Sequence, residues 1–185
     1  VVVLRQRGSV LAGWLGMLVL GGVLVGLLVS GSLWSSLGLT VLLVLLLGLT
    51  WVLVLRPAVA IEPRGVVLHN PFRRTYLPWE VIEGTGSRWM LEVHTAQRRY
   101  ASWAISSSLT RPSQWVIESY RRGPGERTSR VTAANASALI DEHREAYAAA
   151  QHPAPKAAVV QTAWNRLELL AVGLPAVLLA LTLLI

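Results

Sequence analysis

The hydrophobic positions of this chain are concentrated in long unbroken runs near its two ends. The first run, Val10–Val29, holds only apolar or small residues, and the second, Leu37–Leu55, follows it closely. Each is about as long as the roughly 20 residues that a helix needs to cross the ~30 Å hydrocarbon core of a bilayer. The stretch "SGSLWSS" between them is uncharged, and its Trp34 is typical of the aromatic belt at a membrane surface. The pattern predicts a transmembrane helical hairpin over residues 10–56, behind a short N-terminal segment, residues 1–9.

A signal peptide is the alternative explanation for the first run, because Arg5 and Arg7 resemble the basic start of such a peptide. The run is long, however, and no A-x-A-like cleavage site closes it. A second apolar run also follows almost at once. These features favour the hairpin.

A third apolar run, Leu167–Ile185, lies at the other end of the sequence, with Glu168 in its first turn. The run offers no polar face to water, so it differs from the amphipathic helix of a soluble domain. Pro175 in its middle is tolerated in membrane helices at the cost of a kink. A third transmembrane helix is therefore predicted over residues 164–185.

The arginines near the hairpin flank only one side of it. They lie before the first helix or after the second, and the turn between the helices has none: Arg5, Arg7, Arg56, Arg64, Arg73 and Arg74. Cytoplasmic loops of membrane proteins carry this excess of positive charge. We therefore expect a multi-pass protein of the bacterial cytoplasmic membrane, with the N-terminus and the middle region cytoplasmic and the C-terminus outside.

The middle of the chain, residues 57–151, has the short hydrophobic periods of a folded domain. Apolar and polar residues alternate in runs separated by Gly and Pro, which predicts an antiparallel meander of at least five strands. The runs are "AVAIE" (58–62), "VVLHN" (66–70), "RRTYL" (73–77), "WMLEVHT" (89–95) and "RRYASWAI" (98–105). The stretches 63–65 and 84–87 are predicted turns. Trp79 and Trp103 are expected in the core, with Ile105 on the same strand face as Trp103.

A helix is predicted to close this domain. Thr132 is a suitable N-cap, and an apolar stripe at helical spacing follows it. The stripe consists of Ala136, Leu139, Ile140, His143 and Tyr147. Residues 152–163, which begin with "HPAP", are predicted to form a stiff linker to the third membrane helix.

Composition argues against an enzyme. The chain has a net charge of +7 and no cysteine, which excludes disulfides, zinc–thiolate sites and thiol nucleophiles within it. The four histidines, His69, His94, His143 and His152, lack metal-ligand spacing, and no metalloprotease, phosphate-loop or nucleophile-elbow motif occurs. The sequence predicts a protein without enzymatic activity, metal or cofactor.

Strands followed by one helix, behind a membrane hairpin, resemble a bacterial pleckstrin-homology-like (PH-like) domain protein. The likeness lies in "AVAIEPRGVVLHNPF" with Gly65 at its hairpin, in the pair Arg73-Arg74, and in "LPWEVI" with Trp79. In particular, the chain is similar to the group of small membrane proteins labelled low-molecular-weight protein antigen 6. The resemblance implies an α+β PH-like antiparallel half-barrel with a closing helix, joined here to the helical membrane hairpin and a C-terminal transmembrane helix.

Three adjacent arginine pairs are candidate contacts for lipid headgroups or for a partner: Arg73 and Arg74, Arg98 and Arg99, Arg121 and Arg122. Anionic lipid heads attract each nearby cation by roughly 1 kcal/mol, and arginine can bind phosphate through two hydrogen bonds. Charges that only set topology and solubility are the alternative. Neighbours on a strand point to opposite faces, so each pair offers one arginine to any single pocket. Nucleic acid is not expected as a partner, because topology explains the charge.

Helix one carries small residues at four-residue spacing, Gly22, Gly26 and Ser30, which permits close approach of another helix. The runs lack the polar groups midway that an ion path needs. The leading hypothesis is a non-catalytic accessory or scaffold protein that docks by its helices on other integral membrane subunits. A respiratory complex is one candidate, and the PH-like domain would cap or tether it. The alternative is a PH-like sensor that binds anionic membrane lipids at the cytoplasmic leaflet.

Overall fold

The structure is a computed structural model that describes residues 1–32, 35–106, 132–150 and 158–184. In chain order the elements are β1 (Val2–Leu4), α1 (Arg7–Val29), α2 (Leu37–Thr50), β2 (Ala58–Glu62), β3 (Gly65–His69), β4 (Arg73–Pro78), β5 (Ile82–Gly86), β6 (Met90–Thr95), β7 (Arg99–Ser106), α3 (Ala133–Ala149), β8 (Gln161–Trp164) and α4 (Arg166–Leu184). They form two compact units. The sheet unit comprises Val1–Arg7 and Pro57–Ala163, and the helix unit comprises Gly8–Arg56 and Trp164–Ile185.

The helix unit contains three helices that are long and apolar enough to cross a membrane, counted among the described residues. They are Gly8–Val29, Leu37–Leu55 and Arg166–Leu184, close to the three runs predicted from the sequence. The second continues α2 through a π-helical turn, Trp51–Leu55. Trp34, in the predicted turn of the hairpin, lies outside the described residues.

The sheet unit contains two sheets, in which strands β1 to β4 and strands β5 to β7 pair antiparallel. The larger has the strand order β1-β2-β3-β4-β8, and the smaller has the order β5-β6-β7. Strands β2 and β3 are joined by the two-residue turn Pro63-Arg64, within the predicted turn 63–65, and Gly65 already belongs to β3 and pairs with Glu62. Gly65 is required here, because a Cβ atom at this position would overlap the carbonyl oxygen of Leu77 and lie 2.9 Å from Cα of Pro78.

The core of the sheet unit lies between the sheets and α3. Val59, Leu68, Leu91 and Val93 are among the fully buried strand residues that form it. On α3, the predicted stripe is confirmed: Ala136, Leu139 and Ile140 are buried, and Tyr147 packs against the same cluster. Thr132 caps the helix as predicted, since its side chain accepts a hydrogen bond from the backbone N–H of Asn135 at 3.2 Å.

The turn predicted at Gly84–Ser87 is wrong, because these glycines lie within strand β5. Gly84 pairs with His94 and Gly86 with Glu92, after a bulge between Ile82 and Gly84. A Cβ atom at Gly86 would lie 3.1 Å from Nε2 of His94. A small residue here leaves room for that imidazole on the same face of the sheet.

The expectation that Trp103 lies in the core is also wrong, whereas the same expectation for Trp79 is confirmed. Trp103 is 64% exposed and Trp79 only 4%. Ser102 pairs with buried Leu91, so the neighbouring Trp103 faces away from the core. Beyond this pair the register shifts, because Met90 pairs with Ser106. The extra residues in β7 end the simple alternation, so Ile105 is buried although Trp103 is not.

Two short strands extend the larger sheet beyond the predicted meander. In the N-terminal segment, β1 pairs antiparallel with β2, and Leu4 reaches the core. Near the other end, β8 lies beside β4, so residues 161–163 form a strand where the sequence predicted a linker. Residues 151–157, at the start of that linker, lie outside the described residues. Three- and four-residue strands have too few positions to display a period, which is why the sequence pattern did not reveal them.

Candidate functional site

Helices α2 and α4 pack against each other within the helix unit. A Cβ atom at Gly48 of α2 would lie 2.5 Å from the carbonyl oxygen of Ala171 on α4. The two backbones are therefore in direct contact at this point, which a glycine permits and a larger residue would prevent. The sequence analysis did not single out Gly48.

An ion pair joins the same two helices. Nη2 of Arg56 lies 2.7 Å from Oε1 of Glu168, and Glu168 is only 2% exposed. The guanidinium of Arg56 also lies over the ring of Trp51, 6.0 Å from its centroid. The sequence showed both charges, but it assigned Arg56 to topology and gave Glu168 no partner. An acidic residue in an otherwise apolar helix indicates that a partner of opposite charge lies nearby, and this signal was present in the sequence.

Helix α1 contacts the end of the second helix at Gly13, which is not part of the predicted packing stripe. Near the start of α1, a Cβ atom at Gly13 would lie 2.7 Å from Cδ2 of Leu55. Farther along, Cβ atoms at Gly22 and Gly26 would meet nothing within 4 Å. Ser30, at the end of the stripe, is exposed and bonds within its own turn, donating to the carbonyl of Leu27 at 3.1 Å. The stripe as a helix–helix contact therefore stays a prediction.

Of the predicted arginine pairs, two lie in the described part of the sheet unit. Arg74, Arg98 and Arg99 are exposed, whereas Arg73 is half-buried and engaged in an interaction. Arg73 and Arg74 begin β4 of the larger sheet, and Arg98 and Arg99 lead into β7 of the smaller sheet. The third predicted pair, Arg121 and Arg122, lies outside the described residues.

The turn that carries Arg98 is closed by a side chain instead of a glycine. Thr95 Oγ1 donates to the carbonyl of Arg98 at 2.9 Å and accepts from its backbone N–H at 3.3 Å. These bonds explain how "TAQR" can form a tight connection without the Asn-Gly pair that such hairpins favour. The guanidinium of Arg98 lies 5.3 Å from the centroid of the Tyr100 ring.

Asn70 brings the start of β4 next to β7. Its side-chain Nδ2 donates to the carbonyl of Ala101 at 2.9 Å, and its Oδ1 accepts from the backbone N–H of Trp103 at 2.9 Å. Its backbone also exchanges hydrogen bonds with Arg73, at 2.9 and 3.4 Å. The first two arginine pairs thus lie on chain segments that Asn70 links, and exposed Trp103 lies at the same link.

The smaller sheet is fastened to α3 by polar side chains. Oγ1 of Thr85 lies 2.7 Å from Oδ2 of Asp141 and 2.5 Å from Oγ of Ser137. Arg144 donates to the backbone carbonyls of Ile82 and Glu83, where the bulge in β5 leaves carbonyl groups for it. The side chains of Thr85, Asp141 and Arg144 thus hold α3 against the smaller sheet. Among the described residues, no group of three or more His, Cys, Asp or Glu is placed to bind a metal.

A group of aromatic and acidic residues surrounds the β2–β3 turn. Trp79 Nε1 donates to the carbonyl of Pro63 at 3.2 Å, and Tyr76 donates to the carbonyl of Arg64 at 3.0 Å. Tyr147 donates to Glu80 at 2.7 Å, and this hydrogen bond raises the pKa of Tyr147. Partial burial raises the pKa of Tyr76, and nearby carboxylates reinforce the change. Both phenols therefore act as hydrogen-bond donors: Tyr76 to the turn itself, and Tyr147 to the carboxylate of Glu80.

The comparisons with known proteins agree with this architecture. Residues 56–126 match the model of a family described as "Bacterial PH domain". The matched range begins at the end of the second helix and includes β2 to β7. Searches of curated proteins and of solved structures found no match. The fold and the family match together support a bacterial PH-like domain in this part of the chain, whereas the narrower likeness to the antigen 6 group stays a prediction.

Proposed function

We propose that this chain is a non-catalytic accessory or scaffold protein of the bacterial cytoplasmic membrane. Its helices would dock on a larger membrane protein complex, for which a respiratory assembly is one candidate. Its PH-like sheet unit would provide an interaction domain in the cytoplasm. PH-like domains generally mediate protein or lipid contacts without catalysis, which supports this class of function.

The observation that carries the proposal is the order of strands and apolar helices along the chain. Strand β1 leads into α1, the π-helical turn after α2 leads into β2, and β8 leads into α4. Because β1 and β2 pair directly, the segment between them must leave the sheet and return to it. Two helices that cross the membrane in opposite directions satisfy this condition. Arg5 and Arg56, at the two ends of this hairpin, favour the cytoplasmic side for the sheet. The whole chain thus serves to hold one small domain at a membrane.

Docking through α1 follows from the part of its stripe that the chain leaves open. Close contact between membrane helices depends on small residues, since lipid tails are as apolar as leucine. Gly22 and Gly26 have this property and have no neighbour within 4 Å of a Cβ position. Filling them should therefore block an external helix without disturbing the chain itself.

The test compares two variants of the tagged full chain, purified from membranes in mild detergent. Gly22→Leu with Gly26→Leu fills the stripe, and Gly173→Leu, at an equally open position on α4, is the control. We expect mass spectrometry to find a defined set of membrane subunits with the parent and the control, and to lose it with the double variant. A parent that is always alone and monomeric would overturn the proposal.

A second candidate, an anionic-lipid sensor, is favoured by the link at Asn70. It joins the segments that carry exposed Arg74 and Arg99, beside exposed Trp103. Arginines with a neighbouring tryptophan suit a charged membrane surface, where each cation contributes roughly 1 kcal/mol.

Lipid binding can be tested with the full chain in nanodiscs with and without anionic lipid. Hydrogen exchange of the β6–β7 turn should slow with anionic lipid, and Arg74→Gln with Arg99→Gln should abolish the change. Arg64→Gln, which removes an exposed charge from the β2–β3 turn, should retain it. Equal exchange in both lipid mixtures would reject the sensor.

A further inference from the structure

Glu168 is a buried acid in a helix that is otherwise suited to lipid. It lies in the first turn of α4 and is 2% exposed, with its carboxylate 2.7 Å from Nη2 of Arg56. A buried carboxylate is costly without a partner, and removing one member of such a pair leaves the other charge uncompensated. Glu168 therefore favours the position of α4 in which Arg56 is within reach.

The backbone contact between the two helices also has a chemical cause. Pro175 is inside α4 and buried, and it has no N–H to donate to the carbonyl four residues earlier. That carbonyl belongs to Ala171, and it is the one that faces Gly48 on α2. Gly48 is the residue type that lets an α-carbon approach such an oxygen, as in the weak Cα–H···O contacts of helix interfaces.

The π-helical turn belongs to the same arrangement. The backbone N–H of Arg56 donates to the carbonyl of Trp51 at 2.9 Å, five residues earlier, which closes the wider turn. The Trp51 ring lies beneath the guanidinium at 6.0 Å. Single π-turns often mark positions where a helix has to present a particular side chain. Here the turn places Arg56 within reach of the Glu168 carboxylate.

We propose that Arg56 and Glu168 form a charge latch that seats the third apolar helix on α2 of its own chain. The contact of Gly48 with the Ala171 carbonyl sets how closely the helices approach, and the ion pair selects which helix α4 joins. The latch is internal to the chain, so it does not depend on which complex, if any, the protein binds. Its test and the co-purification test can therefore fail separately.

The natural absence of cysteine allows a direct test in the full chain, reconstituted in nanodiscs. Val52 is fully buried and lies midway between Gly48 and Arg56 in the sequence, so Val52→Cys places a single thiol beside the latch. The measurement is the rate of labelling by a small membrane-permeant maleimide. With the latch intact we expect slow labelling, because the helix pair has to open first.

Three latch variants are compared in this background. Arg56→Gln should speed labelling by about tenfold or more, since it leaves the buried carboxylate of Glu168 without its partner. Glu168→Gln should also speed labelling, because it removes the charge that holds the guanidinium of Arg56. The exchange of charges, Arg56→Glu with Glu168→Arg, should restore slow labelling. Unchanged rates in both single variants would overturn the latch, and so would an exchange variant that labels as fast as they do.

A second measurement distinguishes opening of the helix pair from unfolding of the whole protein. Hydrogen exchange of β6, in the core of the sheet unit, should be the same in all variants. Gly48→Ala should speed labelling with both charges present, whereas Gly173→Ala, at an open position on α4, should not. Equal labelling of these two glycine variants would remove the backbone contact from the proposal.

Discussion

The two units of this molecule differ in the contacts that stabilise each of them internally. In the sheet unit, large aliphatic side chains such as Leu68 and Leu91 are fully buried, whereas in the helix unit leucines such as Leu18 and Leu170 are more than half exposed. The described contacts between helices include glycines and one ion pair, beside a few buried apolar residues such as Val52. Apolar burial stabilises a fold in water, but it cannot choose between helices in lipid. We propose that glycines and the ion pair, more than apolar burial, set which helices of the helix unit pack together.

The largest expected effect on stability comes from comparing one leucine substitution in each unit. Leu91→Ala creates a cavity in the sheet core and should lower the free energy of unfolding by about 2–5 kcal/mol. Leu170→Ala, on the exposed side of α4, should lower it by less than about 1 kcal/mol. Unfolding by urea in detergent, followed by hydrogen exchange of each unit, measures both. Equal losses would show that the contrast between the units is mistaken.

A glycine pair tests the helix unit alone. Gly48→Ala places a methyl group against the Ala171 carbonyl and should destabilise the helix pair by about 1–3 kcal/mol. Gly173→Ala has open space and should be neutral or stabilising, by up to about 1 kcal/mol, because alanine favours helix. Resistance to unfolding by sodium dodecyl sulfate gives the comparison. A tolerated Gly48→Ala would mean that the helices do not touch at this point.

In the sheet unit the corresponding polar contact is Asn70. Asn70→Ala removes two hydrogen bonds to the β7 backbone and should cost about 1–2 kcal/mol of unfolding free energy. Asn70→Asp keeps the acceptor for the Trp103 N–H but places a carboxylate oxygen against the Ala101 carbonyl in place of a donor, so its loss should be at least as large. The same urea titration applies, and two variants as stable as the parent would contradict the link between the sheets.

The smallest expected effect concerns the two tryptophans that the sequence placed together in the core. Trp103→Ser should change the unfolding free energy by no more than about 0.5 kcal/mol, because the side chain is largely exposed. Trp79→Phe leaves a cavity and loses the bond to the Pro63 carbonyl, so it should cost more. If Trp103→Ser proves the more damaging change, the pairing of β6 with β7 has been misassigned.

Much of the fold could be predicted because most elements are long enough to display a period. The three apolar runs, the strands around Pro63-Arg64 and the helix capped by Thr132 all follow from spacing and from residues with fixed conformational preferences. Strands β1 and β8 are too short for this, and the glycines of β5 imitate a turn. Trp103 was placed on the same strand face as Ile105, but a bulge in this part of β7, which a single sequence does not show, puts Ile105 in the core and leaves Trp103 outside it.

The candidate sites were less predictable, because they depend on distances between remote residues. The arginine pairs could be recognised, but not the Asn70 side chain that links two of them. Gly22 and Gly26 stood out by their spacing, whereas Gly48 stands alone and gains its meaning from Ala171 and Pro175. Arg56 and Glu168 are more than a hundred residues apart in the chain, so only the fold could pair them.

The central proposal is that the sheet unit lies in the cytoplasm and that the helical hairpin crosses the membrane. Single cysteines at two exposed positions, Ser35→Cys in the hairpin turn and Gln97→Cys in the β6–β7 turn, test it in an otherwise cysteine-free chain. A membrane-impermeant maleimide is added to cells whose outer envelope has been made permeable. It should label the Ser35→Cys variant at once. It should label the Gln97→Cys variant only after the cytoplasmic membrane is broken. Labelling of position 97 in intact cells, or protection of position 35 there, would contradict the claim.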